Sequence, residues 1–404
     1  MILVETHNIS KNHRYYKDLD KLCLLSKNLY NSTLYYIRQH YFNTGEYINY
    51  YDVNRIFTHN NQVDYRALPA KVAKGTQRLV EQDFKSFFAL LKKAKNGQYN
   101  KRVRIPKYAD KVTGRKKLHY EKGALSFKKK GYINLSKTNI FIKTHLERDD
   151  IEWVDIVPYK GCIKILVGYE KKCTVYRFNR RFASIDLGIN NLATVSSNVM
   201  EPFIINGKPL KSINQFANKE LARQNSLLPK DIYTSKRIQS VLLKRDNKIN
   251  NYMHKASTYI VNQLVSNNIT VLVIGYNKEW KQDTNMSKRA NQNFIYIPFL
   301  KFIQMLEYKC KLNGIAVYLQ EESYTSKCSF LDNEDICKHS EYAGKRVHRG
   351  LFKSSSGKLI NADLNGSLNI FKKLLVAKEV WNNQIWLDLI EASSRPNINK
   401  ISFI

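Results

Sequence analysis

The chain has 404 residues, enough for roughly two to four domains with real cores. Lys and Arg number 67 against 34 Asp and Glu, a formal charge of +33, which argues against a neutral metabolic enzyme and for a polyanion partner. Tyr reaches 26 residues, and aromatics interleaved with Lys and Arg suit base stacking beside phosphate contacts, so nucleic acid is the polyanion expected.

Met1–Thr6 predicts a strand, followed by a basic turn. From about Lys17 the pattern turns helical, with Leu19, Leu22, Leu25, Leu29, Leu34 and Ile37 near helical spacing. Leu68–Pro69 opens another helix, Pro near its start. Val72, Leu79, Phe84, Phe87, Phe88 and Leu91 form its apolar stripe, and the charges around it nearly all carry one sign. Residues 17–97 thus read as a helical insertion with a basic surface. KRVRIPKY, YINLS, NIFIKT, WVDIVPYK and GCIKILVGYEKK then give strand signals over residues 98–180, read as a β-barrel-like domain whose first strand is Met1–Thr6.

From Arg181 the predicted order is strand, strand, helix, strand, helix, strand, which fits a mixed or parallel sheet covered by helices. Asn214–Leu228 and Ser235–Val265 are the first helical stretches. In the second, Ile238, Leu242, Ile249, Met253, Ala256, Ile260 and Leu264 share a face, with Lys236, Arg237, Lys244, Arg245, Lys248 and Lys255 mostly off it. Ile269–Ile274 is a buried strand, Pro298 opens a helix through Leu312, and Ile315–Leu319 is the next strand. Residues 323–359, rich in Ser, Lys and Gly, read as an insertion. Leu359–Leu375 resumes as an apolar helix with Asp363 near its start. Trp381 and Trp386 anchor the tail, whose last ten residues are expected to be disordered.

No apolar run approaches the ~18–20 residues of a membrane span, and MILVETHNISKNHRYY has no signal-peptide core. The six cysteines are scattered without a CxxC pair, as expected of a reduced, cytoplasmic protein.

The stretch RFASIDLGINNLATVSS, Arg181–Ser197, places Asp186 inside an apolar strand. A carboxylate there is costly to bury unless a cation or partner offsets it. That is the layout of the first strand of an RNase H-like nuclease, where an Asp binds a divalent metal. An exposed Asp on a β-hairpin is the other reading. Asp363, at the start of the last core helix, is its candidate partner, and two-metal phosphodiester cleavage asks for about three such carboxylates holding two Mg²⁺.

With SIDLGINNLAT stand HKAS at His254–Ser257, VIGYNKEWKQ at Val273–Gln282, LEYK at Leu306–Lys309, YTSKCS at Tyr324–Ser329 and NADLNGSLNI at Asn361–Ile370. YNSTLYYIRQ and LPAKVAKGTQRLVEQDFKSFF belong to the same set. On these motifs, over about residues 15–375, the chain resembles the TnpB (OrfB) family of bacterial insertion sequences, relatives of type V CRISPR effectors. The resemblance implies an α/β multidomain, RNA-guided DNA endonuclease with a guide RNA from its own element and a duplex DNA target. An element-encoded transposase partner and a bacterial, nucleoid-associated location go with it. It also implies a wedge β-barrel at 1–16 and 98–180 with the recognition insertion at 17–97. A RuvC, RNase H-like nuclease at 181–322 and 360–378, a nucleic-acid-binding insertion at 323–359 and a tail at 379–404 complete it.

Two departures stand out. The family's second RuvC motif ends its strand in Ile-Glu, whereas here Ile274 precedes Gly275. Either the site is dead or another acid has moved in, from Glu279, Asp283, Glu321 or Glu322. The last two end the adjacent strand, two ladder spacings or about 10 Å from the first. Glu322 is preferred over Glu321, so Asp186, Glu322 and Asp363 are the expected catalytic, metal-binding set. Second, the family often carries a four-cysteine zinc ribbon at the insertion. Here Cys328 and Cys337 are wrongly spaced, and only His339 and His348 could complete a site, so a degenerate, zinc-free ribbon is expected. Expected nucleic-acid contacts, by the same resemblance, are Lys71, Lys74, Gln77, Arg78, Lys281, Lys345, Arg346 and Arg349, with a solvated face as the plain alternative.

Overall fold

The computed structural model describes residues 1–277, 296–348, 350–393 and 398–403 and divides into two compact units, Met1–Lys171 and Lys172–Ile404.

In the first unit, β1 (Ile2–Ile9) leads into α1 (Tyr16–Thr44), α2 (Tyr50–His59), α3 (Val63–Arg66) and α4 (Ala70–Lys95). The strands β2 (Leu118–Glu121), β3 (Leu125–Ser126), β4 (Tyr132–Leu135), β5 (Phe141–Lys143), β6 (Ile151–Tyr159) and β7 (Cys162–Glu170) follow. α1 stops at Gly45, whose φ of +74° is a left-handed cap that glycine adopts without strain. The Asn49 side chain accepts from the backbone N–H of Tyr51 and Asp52 to open α2. β1 pairs antiparallel with β7, so the chain's first strand is joined to strands that lie beyond the helices. Over the described residues the strands form a four-stranded sheet, β1-β7-β6-β2, and a three-stranded sheet, β3-β4-β5, with no ladder closing them into one barrel.

The expected KRVRIPKY strand is corrected here: residues 101–108 have no regular structure. Pro106 lacks the N–H that a ladder needs, and the alternating cations have no sheet face to cover; only Ile105 packs against the core.

In the second unit, β8 (Phe182–Leu187), β9 (Asn191–Ser197) and β10 (Phe203–Asn206) form an antiparallel meander. Then come α5 (Lys208–Asn225), α6 (Lys236–Ser266), β11 (Val271–Gly275), α7 (Phe299–Leu312) and β12 (Ala316–Gln320). β13 (Lys345–His348), β14 (Leu351–Lys353) and β15 (Leu359–Asn361) make a small sheet ahead of α8 (Ala362–Ala377), α9 (Asn383–Ser393) and β16 (Asn399–Ile401). The main sheet runs β12-β11-β8-β9-β10-β16, with β11 parallel to both β8 and β12. The expected disordered tail is corrected for residues 399–401, which pair parallel to β10 as an edge strand.

Strand alternation sorts this sheet into two layers. Ala183, Ile185, Leu187, Leu272 and Ile274 face a core shared with α5, α6 and α7. Val271 and Val273 face the other core, under α8 and α9, where Phe182 also packs. α8 docks there through a buried hydroxyl trio. Ser184 and Ser196, opposite each other on β8 and β9, share a 2.7 Å hydrogen bond, and Ser367 lies 3.1 and 2.8 Å from them.

Polar side chains of α8 also hold residues 325–335 in place. Asn365 donates to the Cys328 carbonyl at 2.8 Å and accepts from Phe330 N at 3.0 Å. Asn369 donates to the carbonyls of Thr325 and Cys328, and the Lys372 ammonium to those of Asn333 and Glu334. YTSKCS and NADLNGSLN are thereby one hydrogen-bonded unit. Asn365→Ala leaves the buried Phe330 N–H without this acceptor and the Cys328 carbonyl with Asn369 alone, so a stability loss of about 1–3 kcal/mol is expected in urea denaturation. HKAS and LEYK are coupled likewise: Lys309 on α7 donates to Ser257 Oγ at 2.7 Å and the His254 carbonyl at 2.9 Å, on α6. Burial pulls the Lys309 ammonium down to about 8.

Candidate active site

Asp186 lies on the α8 side of β8, the same face as Phe182 and Ser184. Gly275 ends β11 one residue past the Ile274–Ile185 pair, on that same face. Asp363 stands in the first turn of α8, where Asn361 Oδ1 accepts from its backbone N–H at 3.0 Å and caps the helix. Gly366, one turn on, faces the same way, and a Cβ there would fall 2.9 Å from Asp186 Oδ2. Glycine at this position lets the helix backbone approach the carboxylate.

The place opposite Asp186 where the sequence carries Gly275 is filled from outside. A Cβ built on Gly275 would sit 2.9 Å from Glu322 Oε2 and 2.5 Å from Ile370 Cδ1. Glu322 therefore reaches from just past β12, over the end of β11, toward β8. Asn277 steadies it, its side-chain amide donating to Glu322 Oε1 at 3.2 Å. Glu321 turns away: its carboxylate takes the Lys373 ammonium at 2.6 Å and the Ser323 N–H at 2.7 Å. Both residues lie past the strand end, so pleat parity is not what separates them; their different partners are.

Asp186 retains some accessible surface, yet the atoms around it crowd it as a buried group. Its pKa is driven well above the usual carboxylate range, first by burial, then by the charges of Glu322 and Asp363, with Arg346 opposing. Asp363 Oδ1 lies 3.4 Å from Arg346 Nη2, and Oδ2 accepts from the Asn191 amide at 2.6 Å. Among the described residues, no group of three or more His, Cys, Asp and Glu side chains converges tightly enough to hold a metal ion as it stands. What surrounds Asp186 is two carboxylates that raise it and one guanidinium that opposes them. A raised carboxylate pKa opposes folding above the usual Asp range, because the folded state then holds a proton that the unfolded chain has released. Asp186→Asn should raise the thermal midpoint of the metal-free protein at neutral pH, by roughly 2–4 °C per kcal/mol relieved, and the gain should shrink as pH falls. Differential scanning fluorimetry with EDTA across pH checks this.

The other expected residues fall out unevenly. Lys71 and Lys74 are exposed on α4, Lys71 lying over Gly123. Gln77 is corrected: it is fully buried and its Oε1 accepts from Asn54 at 2.8 Å, because it falls on the apolar side of α4. Arg78 is committed within the unit, to Glu121 at 2.8 Å and the Tyr50 hydroxyl at 3.2 Å. Lys345 is exposed on β13 beside Arg346. Lys281, Glu279, Asp283 and Arg349 lie outside the described residues. Cys328 is buried with Sγ 3.6 Å from the Cys337 carbonyl, and Cys337 Sγ is 3.4 Å from His339 Nε2. Sequence reasoning did not single out Asn191, Asn277 or Gly366. All three sit inside quoted motifs, so the motif itself was the available signal.

Two family models match this unit: one described as a probable transposase over residues 174–281, and the Cas12f1-like TNB domain over residues 299–370. The TnpB-like protein ORF457 of Acidianus two-tailed virus is 24% identical over 402 residues, covering 88% of this chain and 83% of that protein. Among solved structures, Cas12f1 in a complex with sgRNA and target DNA is similar at a TM-score of 0.54 and 14% identity, over 88% of this chain and 82% of that one. At that identity the likeness speaks for the mixed α/β fold alone. The two family models and the viral relative support a TnpB-family protein related to the type V effectors.

Proposed function

We propose that this protein is an RNA-guided DNA endonuclease of a mobile element, with an RNase H-like (RuvC) nuclease centre at Asp186, Glu322 and Asp363. The observation that carries this reading is the Glu322 carboxylate lying over Gly275. It supplies an acid at the position where the strand itself has none. The TnpB-family matches and the likeness to a Cas12f1 complex with sgRNA and target DNA support guide RNA and duplex DNA as partners. In this reading residues 1–16 and 98–180 are the wedge, 17–97 recognise the target, and 323–359 touch nucleic acid through Lys345 and Arg346.

The donor set fits a hard divalent cation: all ligands are carboxylate oxygens, and the repulsion that raises Asp186 is the kind a cation relieves. Asp186, Glu322 and Asp363 would hold two Mg²⁺, with Asp363 turning from Arg346. Ions held there would supply activation of water and stabilisation of the leaving oxygen in phosphodiester cleavage. Asn277 and Asn191 orient Glu322 and Asp363. Arg346, which contacts Asp363 at 3.4 Å, would in this reading turn to the phosphate.

The test is cleavage of a supercoiled plasmid bearing a target beside varied flanking motifs, with Mg²⁺ and RNA transcribed across the 3′ end of the gene. A second reading, a guide-directed binding protein without nuclease activity, draws on Gly275 and on the carboxylates standing apart as placed. Binding without cutting at saturating Mg²⁺ would establish it and overturn the first.

A further inference from the structure

Helices α5 and α6 enclose a cleft of about 450 Å³ that the nuclease reading leaves unused. Its walls are one stripe from each helix, including Phe216 and Arg223 from α5 and Arg237, Lys244, Arg245 and Lys248 from α6. Glu220 and Asp246 answer only part of this charge. Glu220 forms a two-point pair with Arg223 at 2.8 and 3.0 Å, and Asp246 pairs with Arg245 at 2.9 Å. Arg237, Lys244 and Lys248 are exposed and, among the described residues, have no acidic side chain within ion-pair distance. From Arg237 to Lys248 the helix rises about 16 Å, a row long enough for several successive phosphates. Phe216, 71% exposed on the opposite wall, offers an aromatic face for an unpaired base.

We propose that this cleft binds a single-stranded segment of the guide RNA, its phosphates along Arg237, Lys244 and Lys248 and a base against Phe216. The inference rests on the RNA-guided reading above. RNA is favoured over the DNA being cut because of position: α5 and α6 belong to the layer over Ala183, Ile185 and Leu187, whereas Asp186 and Glu322 face the α8 layer. A strand in this cleft lies on the side of the sheet away from the carboxylates.

The test uses the full chain with the triple variant Arg237→Gln/Lys244→Gln/Lys248→Gln and, separately, Phe216→Ala, each checked for an unchanged far-UV spectrum. Affinities are measured over a salt series for the transcript of the gene's 3′ flank, for oligouridylate and for oligodeoxythymidylate. Each lost single-strand phosphate contact removes about 0.7 from the salt slope, so the triple variant should lose about 2 units. Over one decade of salt that is roughly a hundredfold in affinity. Phe216→Ala should weaken RNA binding several-fold with the slope intact. Unchanged RNA affinity, or a loss confined to the DNA probe, overturns the proposal. If the transcript is bound no better than oligouridylate, the guide reading fails, and the oligouridylate series alone decides the cleft.

Discussion

Glu322→Ala is expected to lower guided plasmid cleavage at least a thousandfold, about 4 kcal/mol of barrier, with RNA and target binding unchanged. The expectation follows from what stands around Asp186. Asp186 and Asp363 come from the first strand and the last core helix, while β11 between β8 and β12 ends in a residue without a side chain. Glu322 is the carboxylate lying over that gap, and Glu321 is bound to Lys373 and Ser323. Glu321→Ala should therefore cut at close to the wild-type rate. Single-turnover cleavage on preformed complexes separates the two; full activity in Glu322→Ala would remove the centre proposed here.

A second result of similar size is expected at Gly275. In Gly275→Ala the new methyl would fall 2.9 Å from Glu322 Oε2 and 2.5 Å from Ile370 Cδ1, both inside contact distance. Ile370 is fully buried, so Glu322 is the side chain with somewhere to go, and cleavage should fall by about a hundredfold or more as it is displaced. Gly275→Glu alone should be worse, since it adds a second carboxylate to the same space. Gly275→Glu with Glu322→Ala and Ile370→Val returns the acid to the strand, and Val removes the obstructing Cδ1 at a cost of about 0.5–1.5 kcal/mol. Recovery of activity in the combined variant, against none in Gly275→Glu, would show that one carboxylate site is served from two backbone positions.

Asp186 and Asp363 were legible because each breaks a strong local pattern, a charge inside an apolar strand and an acid in the first turn of an apolar helix. Glu322 was legible only as one of several acids. Its choice over Glu321 depends on Asn277 and Lys373, which lie on other segments and leave no trace in local periodicity. Gln77 was misplaced because it sits among Lys74 and Arg78 in sequence, while helical geometry turns it inward to Asn54. Residues 101–108 alternate like a strand, but Pro106 and the cations decide otherwise. The edge strand at 399–401 pairs with β10 across nearly two hundred residues, a distance at which only the tertiary fold speaks.

The Ser184, Ser196 and Ser367 hydroxyls have a consequence for which ion the protein would accept. Apolar helix-on-sheet contacts tolerate a small slide, but three buried hydroxyls bonded to one another and to the Ser184 and Ser367 carbonyls fix a single register. That register sets how far Asp363 stands from Asp186. Mg²⁺ binds oxygen at about 2.0–2.1 Å and Ca²⁺ at about 2.3–2.6 Å, so a few tenths of an ångström of drift is the whole difference between them. If the proposed centre holds Mg²⁺, discrimination by ionic radius would rest on serine side chains that never touch an ion.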